Sequence, residues 1–122
     1  MMSAYQIIYK GIVDTGEQEV ALLEYLAKRL RLVDLPWDTE MVFTIGERTG
    51  LFSCCALLEG KEQLLKEALE LMIKTCPESY GAIGCYGDHA YDVRRLVIRN
   101  GRMYEQTCEI EYADPGKIIF VA

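Results

Sequence analysis

The sequence has few of the residues from which catalytic and metal sites are usually built. It contains a single histidine, His89, in 122 residues, which excludes a site with several histidine ligands and any acid–base scheme that needs two. No dinucleotide-binding, P-loop, zincin, nucleophile-elbow or EF-hand pattern is present. Cys85 lies four residues before His89, which is not a recurring spacing for a thiol nucleophile and its base. We therefore expect no catalytic residue, no metal site and no cofactor.

Long apolar runs and an excess of basic residues are also missing. No run approaches the roughly 18–20 apolar residues that span a bilayer, and the N-terminus lacks the basic and apolar regions of a signal peptide. The 13 basic and 19 acidic side chains give a net charge of −6, which argues against a nucleic-acid surface and permits a basic protein partner. We expect a cytoplasmic protein that binds neither membranes nor nucleic acid.

The cysteines indicate a reducing compartment. There are five, an odd number that cannot pair completely within one chain, and Cys54 and Cys55 are adjacent. Each cysteine lies among apolar neighbours, where a free thiol packs as a small hydrophobic side chain. Reduced structural thiols are the prediction; a redox or metal role is the alternative, although no CxxC motif supports it.

Apolar periodicity predicts a single α+β domain over residues 1–122. Amphipathic helices are predicted over residues 17–33 and 61–76. Strands are predicted over residues 5–13, 41–45, 51–58, 79–86, 91–99, 102–112 and, as a short last strand, 118–121. The order β-α-β-β-α-β-β-β, before that tail, indicates two helices packed on one face of a mostly antiparallel sheet.

Asn100-Gly101 is a strong hairpin signal and predicts the register of the last two long strands. In that register Val97 faces Tyr104 and Arg95 faces Gln106. We expect this side of the hairpin to face inward and the side that carries the acids to face outward. The candidate partner-binding residues are therefore Glu105, Glu109, Glu111 and Asp92, with Asp88 in the flanking Gly87–His89 loop. The alternative is an ordinary solvated face whose acids discourage edge-to-edge aggregation.

In the C-terminal part of the chain, residues 75–83 (TCPESYGAI) leave a predicted helix, pass a proline and enter a predicted strand through Ser-Tyr-Gly. This segment resembles the corresponding segment of the small immunity proteins of bacterial polymorphic-toxin systems. Residues 91–102 (YDVRRLVIRNGR) resemble their Val- and Arg-rich hairpin, and Ala113-Asp114-Pro115 their tail opening. The ending 116–122 (GKIIFVA) departs from the family pattern, which puts a contact through the tail in doubt. Before residue 75 the likeness is one of architecture.

The resemblance implies a cytoplasmic antidote that binds a cognate toxin domain and blocks its active site or substrate entry. Many such toxins are basic nucleases, whose cleft an acidic face could occupy by imitating phosphate charge. Two alternatives stay open from the residues. One is a small regulatory or assembly subunit, homodimeric through an exposed sheet face. The other is a small-molecule binding domain, or an enzyme of an unrecognised kind, that uses a cavity between helices and sheet.

Overall fold

A computed structural model describes residues 6–38, 40–87, 93–108 and 117–122. Its strands are β1 (Ile8–Glu17), β2 (Met41–Ile45), β3 (Thr49–Leu57), β4 (Tyr80–Tyr86), β5 (Val93–Arg99) and β6 (Arg102–Cys108). Its helices are α1 (Val20–Arg31) and α2 (Glu62–Thr75). The chain is an α+β protein with the predicted order of elements, and the predicted fold class is confirmed.

The six strands form one antiparallel sheet in the order β2-β3-β1-β4-β5-β6. Strand β1 lies near the middle because α1 carries the chain past β3 to the edge, and α2 then carries it past β1 to β4. Gly11 and Gly81 let these two central strands approach closely. A Cβ atom added at Gly11 would lie 2.0 Å from the backbone oxygen of Ala82.

The helices cover one face of the sheet, as their periodicity predicts. The buried side chains of α1 are Leu23, Leu26 and Leu30, and those of α2 are Leu65, Ala68, Leu69 and Met72. They pack on sheet residues such as Tyr9, Val13 and Phe52, which are also buried. Among the described residues, no helix is long and apolar enough to cross a membrane.

Specific contacts stabilise the C-terminal end of each helix. After α1 the Trp37 indole Nε1 donates a hydrogen bond of 2.9 Å to the carbonyl of Val33, and its ring meets Phe52 edge-on at 5.6 Å. After α2 the amide of Ser79 and its Oγ both donate to the carbonyl of Cys76, at 2.9 and 2.7 Å. The residues around Pro77 thus end the helix and turn the chain into β4.

The β5–β6 register is confirmed, whereas the expected orientation of the hairpin is wrong. Asn100 and Gly101 have φ of 53° and 71°, as a two-residue type I′ turn requires, and Val97 lies opposite Tyr104. Leu96 and Ile98, however, are 1% exposed beneath the helices, and Tyr104 is 38% exposed on the other side. Tyr104 and Gln106 therefore face outward, and Glu105 lies on the helix side.

The predicted last strand is also absent. Residues 117–122 are described and form no strand. Ile118, Ile119, Phe120 and Val121 are each at least 75% exposed. Four consecutive apolar side chains gave a β-prone pattern, but the described sheet ends at β6 and does not include them.

Candidate protein-binding surface

The sheet side opposite the helices, here called the open face, carries apolar side chains across all six strands. Strand registers align one complete row over it, Val42, Ser53, Ile12, Ala82, Val97 and Tyr104. A second row contains Leu57, Ile8, Tyr86 and Val93. The polar side-chain groups of the first row are the hydroxyls of Ser53 and Tyr104, and its other four residues are apolar. This side of the sheet is therefore patterned like a surface that contacts protein rather than like a solvated one.

The large apolar and aromatic side chains of the open face are substantially accessible. They are between 38% and 55% exposed, and the set consists of Ile8, Ile12, Leu57, Tyr80, Tyr86 and Tyr104. Single exposed apolar residues are ordinary on protein surfaces, whereas a contiguous set marks an interaction site. Tyrosine and arginine are also the residue types enriched in protein–protein interfaces.

Cations lie between and beside these apolar rows. Lys10 aligns with Arg95 through Gly84, and Arg99 lies opposite Arg102 at the end of the hairpin. We call Arg95, Arg99 and Arg102 the arginine strip. Within the described residues, no carboxylate lies within 4.0 Å of any of the three. The strip is thus free to meet a partner's anions.

Neutral groups orient two of these arginines. Arg95 Nη2 donates a hydrogen bond of 3.0 Å to Gln106 Oε1, and the Arg99 guanidinium lies 5.9 Å from the centre of the Tyr104 ring. The first contact confirms the Arg95–Gln106 pair predicted from the sequence, although it lies on the open face. A guanidinium that lies over an aromatic ring keeps its full charge, but the contact limits the orientations that the side chain adopts.

A second cluster of charged groups joins α2 to the helix side of the sheet. Tyr9 Oη donates a hydrogen bond of 2.8 Å to Glu62 Oε1, and Arg94 Nη2 bonds to the same oxygen. Lys66 Nζ lies 3.9 Å from Glu62 Oε2 and 3.4 Å from Glu105 Oε2. Arg94 Nη1 lies 3.5 Å from Glu105 Oε1. We call these five residues the Glu62 cluster.

The Glu62 cluster is built to hold fixed charges rather than to move protons. Burial alone would raise the pKa of Glu62, but hydrogen bonds from Arg94 and Tyr9 outweigh it and hold that pKa below its ordinary value. Burial would lower the pKa of Arg94, and the bond to Glu62 raises it instead. Burial and the Glu62 carboxylate raise the pKa of Tyr9. All three groups therefore keep one protonation state near neutral pH.

Of the predicted partner-binding residues, Glu105 is described and lies in this cluster. Its carboxylate contacts both Lys66 and Arg94, so its charge is already partly neutralised. The other candidates, Glu109, Glu111, Asp92 and Asp88, lie outside the described residues, as does His89.

Four of the cysteines are free thiols. Cys54, Cys76 and Cys85 are buried, and Cys55 is exposed. Burial raises the pKa of Cys85 to about 11 and that of Cys54 to about 12, so both remain protonated thiols at neutral pH. Among the described residues, no three His, Cys, Asp or Glu side chains converge as metal ligands.

Sequence reasoning missed the open face because it placed Tyr104 and Arg95 in the interior. The alternation in β5 and β6 shows which residues share a side, and both sides contain apolar residues. The available signal was on β5. Leu96 and Ile98 are successive aliphatic residues on one side of this strand, whereas its other side alternates valines with arginines.

A depression of about 340 Å³ bears on the small-molecule alternative. It lies between α2 and the hairpin end and is lined by Glu70, Ile73, Lys74, Gly101 and Met103. A ligand site normally combines an enclosed apolar wall with converging polar groups. Here two oppositely charged side chains flank a shallow opening, so the open face is the better candidate.

Comparison of the chain with models of known protein families, with curated proteins and with solved structures gives no match.

Proposed function

We propose that this chain is a non-catalytic binding protein that acts in the cytoplasm by covering the active site of a cognate bacterial toxin domain. The observation that carries the binding role is the open face, on which apolar and aromatic side chains remain accessible across the sheet. The toxin as partner comes from the resemblance of the C-terminal segments to polymorphic-toxin immunity proteins.

The size of the open face suits such a role. Six strands at about 4.8 Å spacing give a width of about 24 Å, and strands of seven residues are about 23 Å long. The resulting area of about 550 Å² is roughly two-thirds of the ~800 Å² per partner of a standard protein interface. A rigid sheet of this size can cover a catalytic cleft without entering it.

A basic nuclease toxin would require an acidic contact surface. Glu105 could meet such a partner only by exchanging its contacts with Lys66 and Arg94 for new ones. That exchange lowers the net gain from each new ion pair. Acidic contact through the partner-binding residues predicted from the sequence therefore depends on Glu109, Glu111 and Asp92, and charge reversal at Glu109 and Glu111 is its test.

The open face also favours a second candidate, a regulatory or assembly subunit. Apolar sheet faces serve equally in permanent complexes, whose interfaces are more hydrophobic than those of transient ones. In that case the partner would be another subunit or a second copy of this chain, and no toxicity would be involved.

The test is recovery of the tagged chain from its native cells, identification of co-purifying proteins, and expression of each candidate domain with and without the chain. We expect a captured domain to arrest growth alone and to be harmless beside the chain. Ile12→Lys should abolish this protection, because it places a charge at the centre of the open face.

The matched control is Val20→Lys, since Val20 is 45% exposed at the start of α1 and Ile12 is 53% exposed. Both variants should keep the wild-type circular dichroism spectrum. Protection that survives Ile12→Lys would remove the open face from the mechanism. A captured domain that is not toxic would favour the subunit candidate.

A further inference from the structure

The distribution of charge over the sheet runs against the charge of the whole chain. The net charge is −6, yet the strand residues of the open face include Lys10 and the arginine strip. Among the described strand residues, the anions on this face are Asp14 and Glu17 of β1, both aligned with β3. The described part of the open face is therefore cationic on a chain whose net charge is negative.

The anions of the open face do not neutralise the strip. Asp14 Oδ1 accepts a hydrogen bond of 2.8 Å from the amide of Gly16, and Asp14 is paired with Tyr80 of β4. Strand β5 lies one strand further, so the backbone of Asp14 is about 10 Å or more from the backbone of the strip residues in β5. No carboxylate of the described residues lies within 4.0 Å of a strip guanidinium. The three arginines therefore remain available as cations.

We propose that the open face binds a protein surface with an apolar centre and an acidic rim, the carboxylates of the rim pairing with Arg95, Arg99 and Arg102. The inference rests on the proposed function and specifies the partner of that surface. Charge complementarity at an interface sets orientation and association rate, while the apolar rows supply the buried contact. Tyr104, in contact with Arg99, joins the two parts.

Two other occupants fit the charges less well. Face-to-face association of two copies would bring an excess of cations together, and like charges across an interface cost free energy. Nucleic acid would find cations, but the centre of the face is aliphatic, with Ile8 and Ile12, and a net charge of −6 repels phosphate.

The test uses defined probes and isotope-labelled full-length chain. One probe is a disulfide-closed β-hairpin peptide with a leucine face flanked by glutamates. The second carries lysine for each glutamate, and the third is a single-stranded oligonucleotide. We expect the glutamate peptide to shift the amide resonances of β5 and β6, with an affinity that falls as salt is added.

The decisive variant is Arg95→Glu with Arg99→Glu, which should weaken glutamate-peptide binding about tenfold or more. Lys28→Glu with Arg48→Glu makes the same change in net charge at exposed positions outside the strip and should leave the affinity unchanged. Sedimentation of the free chain monitors self-association throughout.

Four results would overturn the inference: equal binding of the lysine peptide, tighter binding of the oligonucleotide, concentration-dependent dimers that bury β5, or no shift on the open face up to about 1 mM peptide. None of these depends on toxicity. A chain that binds the glutamate peptide but neutralises no captured domain would therefore contradict the proposed function and leave the inference standing.

Discussion

Glu62 and Arg94 show how single residues decide the shape of this molecule. They are 32 positions apart, and each is mostly removed from water, with side-chain exposures of 29% and 19%. An ion that loses its water needs a partner with good geometry, since otherwise burial is costly. Their pairing, extended by Tyr9 and Lys66, fixes the first turn of α2 against β1 and β5.

Glu62→Gln should lower the free energy of unfolding by about 1–2 kcal/mol at pH 7, because the carboxylate that forms an ion pair with Arg94 becomes a neutral amide. The folded-state pKa of Glu62 is depressed, so its stabilisation is present above the unfolded pKa and disappears as pH falls through the folded value. The difference between variant and wild type should therefore shrink below about pH 4. Urea denaturation between pH 3 and pH 7 measures it.

The matched control for this substitution is Glu67→Gln on the exposed side of the same helix, which should change stability by less than about 0.5 kcal/mol. If the two substitutions had equal effects at pH 7, the Glu62 cluster would contribute no specific stability. Sequence alone could not identify this cluster, because carboxylates are abundant and their convergence depends on tertiary structure.

The sequence predicted the helices and strands more accurately than it predicted the contacts between them. The helical periodicity placed α1 and α2, and Asn100-Gly101 set the β5–β6 register, because these signals are local. The orientation of that hairpin and the exposed tail depend on which surface the helices cover. Glu105 can lie on the helix side because β6 is an edge strand and Lys66 reaches it from α2.

Gly11→Ala tests the close approach of β1 and β4. The new Cβ would lie 2.0 Å from the Ala82 oxygen, so two backbones must separate, and we expect a loss of about 2 kcal/mol or more in the free energy of unfolding. Gly46→Ala is the control, because its nearest neighbour, the Thr49 oxygen, is 3.5 Å away. Equal urea midpoints for the two variants would contradict the tight central pairing.

At the scale of the whole molecule, both helices cover the same side, and this placement leaves the other side open. Each helix links two parallel strands that flank a third, so α1 and α2 return over the same sheet surface and pack on a common core. The opposite surface then carries every strand residue of the other parity. Its apolar character is thus a property of all six strands together, and its cations come from β1, β5 and β6, so no single segment of the sequence displays the whole surface.

The same topology predicts which strands unfold locally and which unfold only with the whole molecule. Strand β1 is hydrogen-bonded on both sides, to β3 and β4, whereas β2 and β6 each have one partner strand among the described residues. Amides of β1 should exchange with solvent only through global unfolding, and those of β2 and β6 through smaller local openings. Residues 117–122 provide the unprotected reference. Hydrogen exchange followed by two-dimensional NMR measures these rates. Protection of β6 equal to that of β1 would show that something further covers that edge and would revise the limits of the open face.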